Sequence, residues 1–73
     1  MSDIITSQVK SSNIKTVAYD PLLNNLIIEF HNGTKYEFVA VPKLEYDNII
    51  KSASIGRYFQ ANIKGKYDFL KVR

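Results

Sequence analysis

The sequence predicts an α+β fold, in which a three-stranded antiparallel β-meander is followed by an α-helix, a short second helix and a C-terminal segment. Before Pro42 the apolar residues form short runs rich in β-branched and aromatic side chains, as strands do. After Pro42 they recur at the i, i+3, i+4 and i+7 spacing of a helix. The chain has 73 residues, which is enough for one domain, so both patterns must contribute to one core.

The strand pattern occupies residues 13–19, 26–30 and 34–40. Asp20 and Pro21 separate the first two strands, because proline fixes its own φ and restricts the residue before it. Residues 1–8 are polar and have no sustained period, so we predict a flexible N-terminal tail followed by a single domain over residues 9–73.

Two registers are available to the hairpin that joins the second and third strands. A two-residue Asn-Gly turn would pair Ile28 with Glu37 and place a charged residue on the apolar face. A three-residue loop over residues 31–33, with Gly33 in the left-handed conformation, pairs Ile28 with Tyr36 and gathers the apolar residues on one face. The three-residue loop is therefore the prediction.

The first helix is predicted over residues 43–52, with Pro42 at its first turn. Ser54 is placed to cap a second helix that runs to about Asn62, and Gly65 ends it. Residues 66–73 supply a short extended segment. The predicted core is Ile14 or Val17, together with Leu26, Ile28, Phe30, Tyr36, Phe38, Ile49, Ile50 and Phe59.

The composition argues against an enzyme. There is no cysteine, and the single histidine, His31, lies in the hairpin loop without a nucleophile to activate. The glycines are isolated and the carboxylates scattered, so we expect no phosphate-cradling loop, no metal site and no cofactor. No apolar run is long enough to cross a membrane, and the absence of cysteine favours the cytoplasm.

Positive charge is concentrated in the second part of the chain. Residues 43–73 contain seven basic and three acidic residues, whereas residues 1–42 are near neutral. Such clustering is typical of proteins that bind polyanions, although an ordinary solvated surface also produces it. The candidate nucleic-acid-binding residues are Ser54, Gly56, Arg57, Tyr58, Lys64, Lys66, Tyr67 and Lys71.

These candidates have different expected roles. Arg57 and the three lysines suit phosphates, and Tyr58 or Tyr67 could stack on an unpaired base. The helix start at Ser54 and Gly56 could hold one phosphate. The simpler alternative is that Ser54 is only a cap and that the tyrosines belong to the core.

The order of short motifs between Val9 and Tyr67 resembles the KTSC domain family. The motifs are Ser11-Ser12-Asn13-Ile14, Val17-Ala18-Tyr19-Asp20, Leu26-Ile27-Ile28-Glu29-Phe30, His31-Asn32-Gly33, Tyr36-Glu37-Phe38, Val41-Pro42, Ala53-Ser54-Ile55-Gly56, Tyr58-Phe59, Asn62-Ile63-Lys64 and Tyr67. This family is named for its position at the C-terminus of some lysyl-tRNA synthetases and also occurs as small bacterial and phage proteins. It has a tyrosine-x-tyrosine motif, in which Phe38 here replaces the second tyrosine.

The resemblance implies the same fold and an association with RNA, and it brings no catalytic residues. Two functions are therefore expected. The first is a non-enzymatic module that binds RNA or another nucleic acid through the basic C-terminal segment. The alternative is an adaptor that binds a protein partner through the open sheet face or an edge strand. The sequence leaves the oligomeric state open.

Overall fold

The computed structural model describes residues 4–72, which form one antiparallel sheet with helices packed on one face. Its five strands are β1 (Ile5–Gln8), β2 (Ile14–Asp20), β3 (Asn25–Phe30), β4 (Lys35–Phe38) and β5 (Phe69–Lys71). They lie in the order β1-β2-β3-β4-β5, and each is antiparallel to the next. The predicted α+β class is confirmed, but the predicted number of three strands is wrong.

The first additional strand lies in the segment predicted as a flexible tail. Residues 5–8 pair with β2, from Ile5 opposite Tyr19 to Gln8 opposite Thr16. The hydroxyl oxygens of Ser7 and Tyr46 are 2.6 Å apart, which fastens β1 to the first helix. The strand was missed because its sequence, Ile-Thr-Ser-Gln, has little apolar alternation. Residues 1–3 of the predicted tail lie outside the described residues.

The second additional strand, β5, belongs to the predicted C-terminal extended segment. It pairs with β4, with Phe69 opposite Phe38 and Lys71 opposite Tyr36. Gly65 has φ +83°, a conformation that glycine adopts without steric cost, and it lies where the chain leaves the helical region. The segment therefore returns to the sheet and forms its second edge.

The β3–β4 hairpin has the predicted register. Ile28 pairs with Tyr36, and Leu26 pairs with Phe38. Gly33 has φ +92°, and its N–H donates to the carbonyl oxygen of Phe30 at 3.0 Å. The three-residue loop with a left-handed glycine is confirmed.

A β-bulge in β2 explains why Ile14 and Val17 are both buried. Residues three apart on a regular strand point to opposite faces. Here the register shifts between Ile14 and Thr16, and so Ile14 is opposite Phe30 while Val17 is opposite Ile28. The side chains of Ile14 and Val17 are 1% and 0% exposed. The prediction named them as alternatives, and the bulge places both in the core.

The helical region contains α1 (Lys43–Lys51), α2 (Ile55–Tyr58) and a single π-helical turn (Phe59–Ile63). The predicted cap is confirmed, since the side chain of Ser54 accepts a hydrogen bond from the Arg57 N–H. The second helix continues as the π-helical turn, in which the Lys64 N–H bonds the Phe59 carbonyl five residues earlier. Within residues 4–72, no helix has the length and apolar character needed to cross a membrane.

The core lies between the sheet and the helices. Most of its predicted members are buried, but Phe30, Tyr36 and Ile50 are only partly buried and pack against its border. Buried side chains that the prediction omitted are Tyr19, Val41, Tyr46, Ile55 and Ile63. The partial exposure of Phe30 and Tyr36 is important because both line a cavity at the surface.

Candidate nucleic-acid interface

The predicted binding residues are distributed over several locations. Ser54, Gly56 and Arg57 line one cavity and Lys64 lines a second. Tyr58 and Tyr67 both bond Glu45. Lys66 is exposed in the turn after the π-helical turn, and Lys71 lies on β5 opposite Tyr36. The residues of the basic segment therefore do not form a single site by themselves, and those that line a cavity do so together with residues from other parts of the chain.

The first cavity, called the polar groove below, has a volume of about 770 Å³. It lies between the β1–β2 connection, residues 10–13, and the beginning of the second helical segment, residues 53–57 with Gln60 and Ala61. The connection is held by hydrogen bonds to Ser11. The Ile14 N–H donates to Ser11 Oγ at 3.3 Å, and His31 Nε2 donates to the Ser11 carbonyl oxygen at 3.0 Å. His31 thus has a structural contact in one wall of this groove.

The second cavity, called the aromatic pocket below, has a volume of about 330 Å³. Its floor contains the buried rings of Phe38 and Phe59, whose centroids are 5.6 Å apart in an edge-to-face arrangement. Phe30, Tyr36 and Phe69 form its walls. The Tyr36 and Phe69 rings are 5.3 Å apart with an interplanar angle of 86°. Five aromatic rings therefore surround a space that is open to solvent.

Polar side chains surround the mouth of the aromatic pocket. They are Asn32, Thr34, Gln60 and Lys64. The Thr34 N–H donates to Asn32 Oδ1 at 2.9 Å, which orients the Asn32 amide. Gln60 lines the polar groove as well as the aromatic pocket. The two cavities are therefore neighbours that meet at Gln60.

The charges on this surface have a single sign. Its charged lining residues within the described chain are Lys10 and Arg57 in the polar groove and Lys64 at the aromatic pocket. In residues 4–72 the ion pair is Lys43 with Asp47, so these three cations have no carboxylate partner there. The opposite face of the sheet differs, because Asp20, Glu29 and Glu37 line a shallow depression there together with Lys35.

Tyr58 and Tyr67 form a cluster with Glu45 that lies apart from both cavities. Their hydroxyls donate to the two Glu45 carboxylate oxygens at 2.5 and 2.9 Å. The hydrogen bond to Glu45 and then burial raise the pKa of the Tyr58 phenol above its ordinary value. Burial and then the same carboxylate raise the pKa of Tyr67. These contacts join the helices to the C-terminal segment, so the geometry favours a structural role over the predicted stacking.

The sequence prediction missed the residues that complete the surface. Lys10 and Ser11 were missed because they precede the basic segment in the chain. Phe30 and Tyr36 belong to the predicted core, since their types and spacing are those of core residues, and Phe69 lies in the predicted C-terminal extended segment. The cluster of polar residues at positions 10–13 was the available signal, because polar residues between strands form loops, and loops carry much of protein function.

Together, the fold and this surface define a small α+β domain with a positively charged, aromatic-lined surface. The family model of the KTSC domain matches residues 10–67, and the chain belongs to that family. A KTSC domain protein of Yersinia pestis, known from its crystal structure, is 33% identical and has a TM-score of 0.89. The similarity covers 97% of this chain and 100% of that protein.

Curated relatives include both long and short proteins. The chain is 33% identical over 60 residues to a lysine–tRNA ligase of a Nostoc species and 35% identical over 60 residues to that of Nostoc punctiforme. Each alignment covers 82% of this chain but only 11% of the ligase. An uncharacterized protein of Stutzerimonas stutzeri is 30% identical over 59 residues, which cover 81% of this chain and 83% of that protein.

Proposed function

We propose that this chain is a non-enzymatic module that binds single-stranded RNA along the polar groove and the aromatic pocket. One observation carries the proposal: among residues 4–72, the linings of two neighbouring cavities include Lys10, Arg57 and Lys64 but no carboxylate, beside a cluster of aromatic rings. Proteins that bind single strands combine positive charge along the backbone path with aromatic side chains on which bases stack. Both components are present on this surface.

The cationic side chains supply the affinity for phosphate. The segment α2 has only four residues, and the Arg57 N–H at its start already bonds the Ser54 side chain, whereas the three cationic side chains carry full charges. We therefore assign phosphate binding to Lys10, Arg57 and Lys64 instead of the backbone at Ser54 and Gly56. Lys71 lies opposite Tyr36 on the same face of the sheet but lines neither cavity, so it is not counted among the phosphate contacts.

The relatives favour RNA over DNA. Two of them are lysine–tRNA ligases, and the segment similar to this chain is 11% of their length. A small module within a protein named for tRNA is well placed to contribute RNA affinity. A cytoplasmic location is part of the proposal, in keeping with the cysteine-free sequence.

Salt dependence tests the proposal directly. Binding of a fluorescently labelled single-stranded RNA of about twelve nucleotides is measured by anisotropy over a range of salt concentrations. Each phosphate that a cation neutralises on a single strand contributes about −0.7 to the slope of log K against log salt. If Lys10, Arg57 and Lys64 each neutralise one phosphate, the slope should be about −2. The double variant R57Q/K64Q should retain a slope near −0.7, since one groove cation remains.

A matched control separates this surface from net charge. The variant K35Q/K43Q removes the same charge from residues outside both cavities and should keep the wild-type slope. Equal losses in the two double variants would contradict the assignment of the surface. An affinity no tighter than about 100 μM at low salt, the weak limit of non-specific binding, would refute RNA binding altogether.

A protein-binding adaptor is the second candidate, and a different surface supports it. The face of the sheet opposite the helices has a depression of about 310 Å³, lined in part by Ile4, Ile27 and Val72. Ile4 and Val72 are each 54% exposed, and Leu70 on the same face is 64% exposed. If this face binds a protein, L70K should abolish capture of that partner and R57Q/K64Q should leave capture unchanged.

A further inference from the structure

We infer that the aromatic pocket receives one unpaired nucleobase, whose edge hydrogen-bonds the Gln60 amide and whose phosphate lies at Lys64. The inference rests on the proposed function and names the chemical unit that this part of the surface recognises. It is carried by the shape of the pocket, by the exposed ring of Phe69 in its wall and by the polar groups at its mouth.

The pocket has the dimensions and the walls for a flat aromatic ligand. Its volume of about 330 Å³ is at the lower end of small-molecule sites, which begin near 300 Å³. Phe38 and Phe59 are 2% and 6% exposed and give it a fixed floor. Phe69 is 53% exposed although its ring contacts both Tyr36 and Phe38. A base stacked on Phe69 would cover apolar surface that the fold itself leaves in water.

The mouth of the pocket has hydrogen-bonding groups suited to a base edge. The Gln60 amide offers one acceptor and two donor hydrogens, and within residues 4–72 it has no hydrogen-bond partner. The Asn32 oxygen is occupied by the Thr34 N–H, which leaves the Asn32 amide hydrogens to donate. Bases present adjacent donors and acceptors on their edges, and carboxamide side chains match such pairs.

Electrostatics favours a nucleotide over an aromatic side chain of a protein partner. Lys64 lies at the same mouth. Within the described residues, no carboxylate lines either the aromatic pocket or the adjoining polar groove. A nucleotide in the pocket would place its phosphate beside Lys64, and the next phosphate along the strand would reach the groove that contains Arg57. A neutral peptide with an aromatic residue would satisfy the rings but would leave these cations unused, whereas every nucleotide brings its own negative charge.

The test compares RNA with an oligonucleotide of the same length that has phosphates and sugars but no bases. Wild-type protein should bind the RNA about 5- to 150-fold more tightly, the range for one stacked base. The variant F69A should lose that preference and keep the wild-type salt slope, because no cation is removed. L70A is the matched control: Leu70 is adjacent, exposed and on the opposite face of β5, so this variant should bind both ligands as wild type does.

The possible outcomes separate the inference from the proposed function. Equal binding of both oligonucleotides with an unchanged salt slope would overturn the base pocket and leave RNA binding standing. If the protein binds neither oligonucleotide, both the base pocket and RNA binding are refuted. Because F69A could also disturb β5, Q60A provides a second variant outside the sheet and should weaken RNA binding while leaving binding of the base-free chain unchanged. Nuclear magnetic resonance gives a further test at Tyr36 in the pocket wall. The inference would also be overturned if a phenylalanine-containing peptide shifted the Tyr36 signals and a nucleoside monophosphate did not.

Discussion

Replacement of Glu45 by alanine should destabilise the fold far more than an ordinary surface substitution. Glu45 lies in the first turn of α1, and its carboxylate oxygens accept the hydroxyls of Tyr58 and Tyr67 at 2.5 and 2.9 Å. The three residues belong to α1, to the end of α2 and to the segment before β5. The substitution removes the acceptor for both phenols and disconnects three parts of the chain.

The size of the effect follows from the two hydrogen bonds. Hydrogen bonds to charged groups contribute about 1.5–3 kcal/mol each. All three side chains are half-buried, so water partly replaces the lost acceptor. We therefore expect about 1 kcal/mol for each bond and about 2 kcal/mol for E45A. For a domain of this size, that loss lowers the melting temperature by about 8–16 °C.

Urea denaturation with a double-mutant cycle tests this value. Y58F should cost about 1 kcal/mol in the wild-type background and less than about 0.3 kcal/mol in the E45A background, because the bond is already absent there. Asp47 is the control carboxylate on the same helix, since it pairs with Lys43 in an exposed i,i+4 ion pair. D47A should cost no more than about 0.5 kcal/mol. Equal costs for E45A and D47A would refute the reasoning.

Two further predictions concern the hairpin and the tyrosines. G33A should cost about 1 kcal/mol in chemical denaturation, because Gly33 has φ +92°, whereas G56A should be neutral or stabilising, since Gly56 lies in α2 without a positive φ. The raised pKa values of Tyr58 and Tyr67 mean that the folded state retains the phenol protons better than the unfolded chain. Their contribution is fully present below the unfolded pKa near 10 and is lost as the pH rises through the folded values. The urea midpoint should therefore fall above about pH 10, and more gradually in Y58F/Y67F; equal slopes in the variant and the wild type would contradict this.

The sequence was most informative where pattern and backbone chemistry agreed. The hairpin could be predicted in register because only one pairing gathers the apolar residues and also uses Gly33 for the left-handed position. β1 could not be predicted, because it forms through its pairing with β2 and through the contact of Ser7 with Tyr46. The bulge that buries both Ile14 and Val17 is a tertiary effect without a marker in the local sequence.

The candidate site was only partly predictable, because charge along the chain and charge in space are different quantities. Lys43 belongs to the basic segment, yet it pairs with Asp47 on α1. Lys10 belongs to the near-neutral segment, yet it lines the same groove as Arg57. A count of charges over residues 43–73 includes Lys43 and omits Lys10. The groove is formed by two groups of residues that are at least forty positions apart, since Asn13 and Ala53 are the nearest pair, and only the fold brings them together.

The short strand β5 contributes residues to both candidate binding surfaces, one on each face of the sheet. Phe69 points to the aromatic pocket, and Leu70 is directed to the opposite face, because neighbouring strand residues alternate between the two sides of a sheet. Both are largely exposed, so substitution of either removes little from the core. A general loss of β5 would affect both faces together. Loss of the preference for bases in both F69A and Q60A but not in L70A would therefore arise on the aromatic side, whereas loss of binding in L70A alone would place the function on the open face.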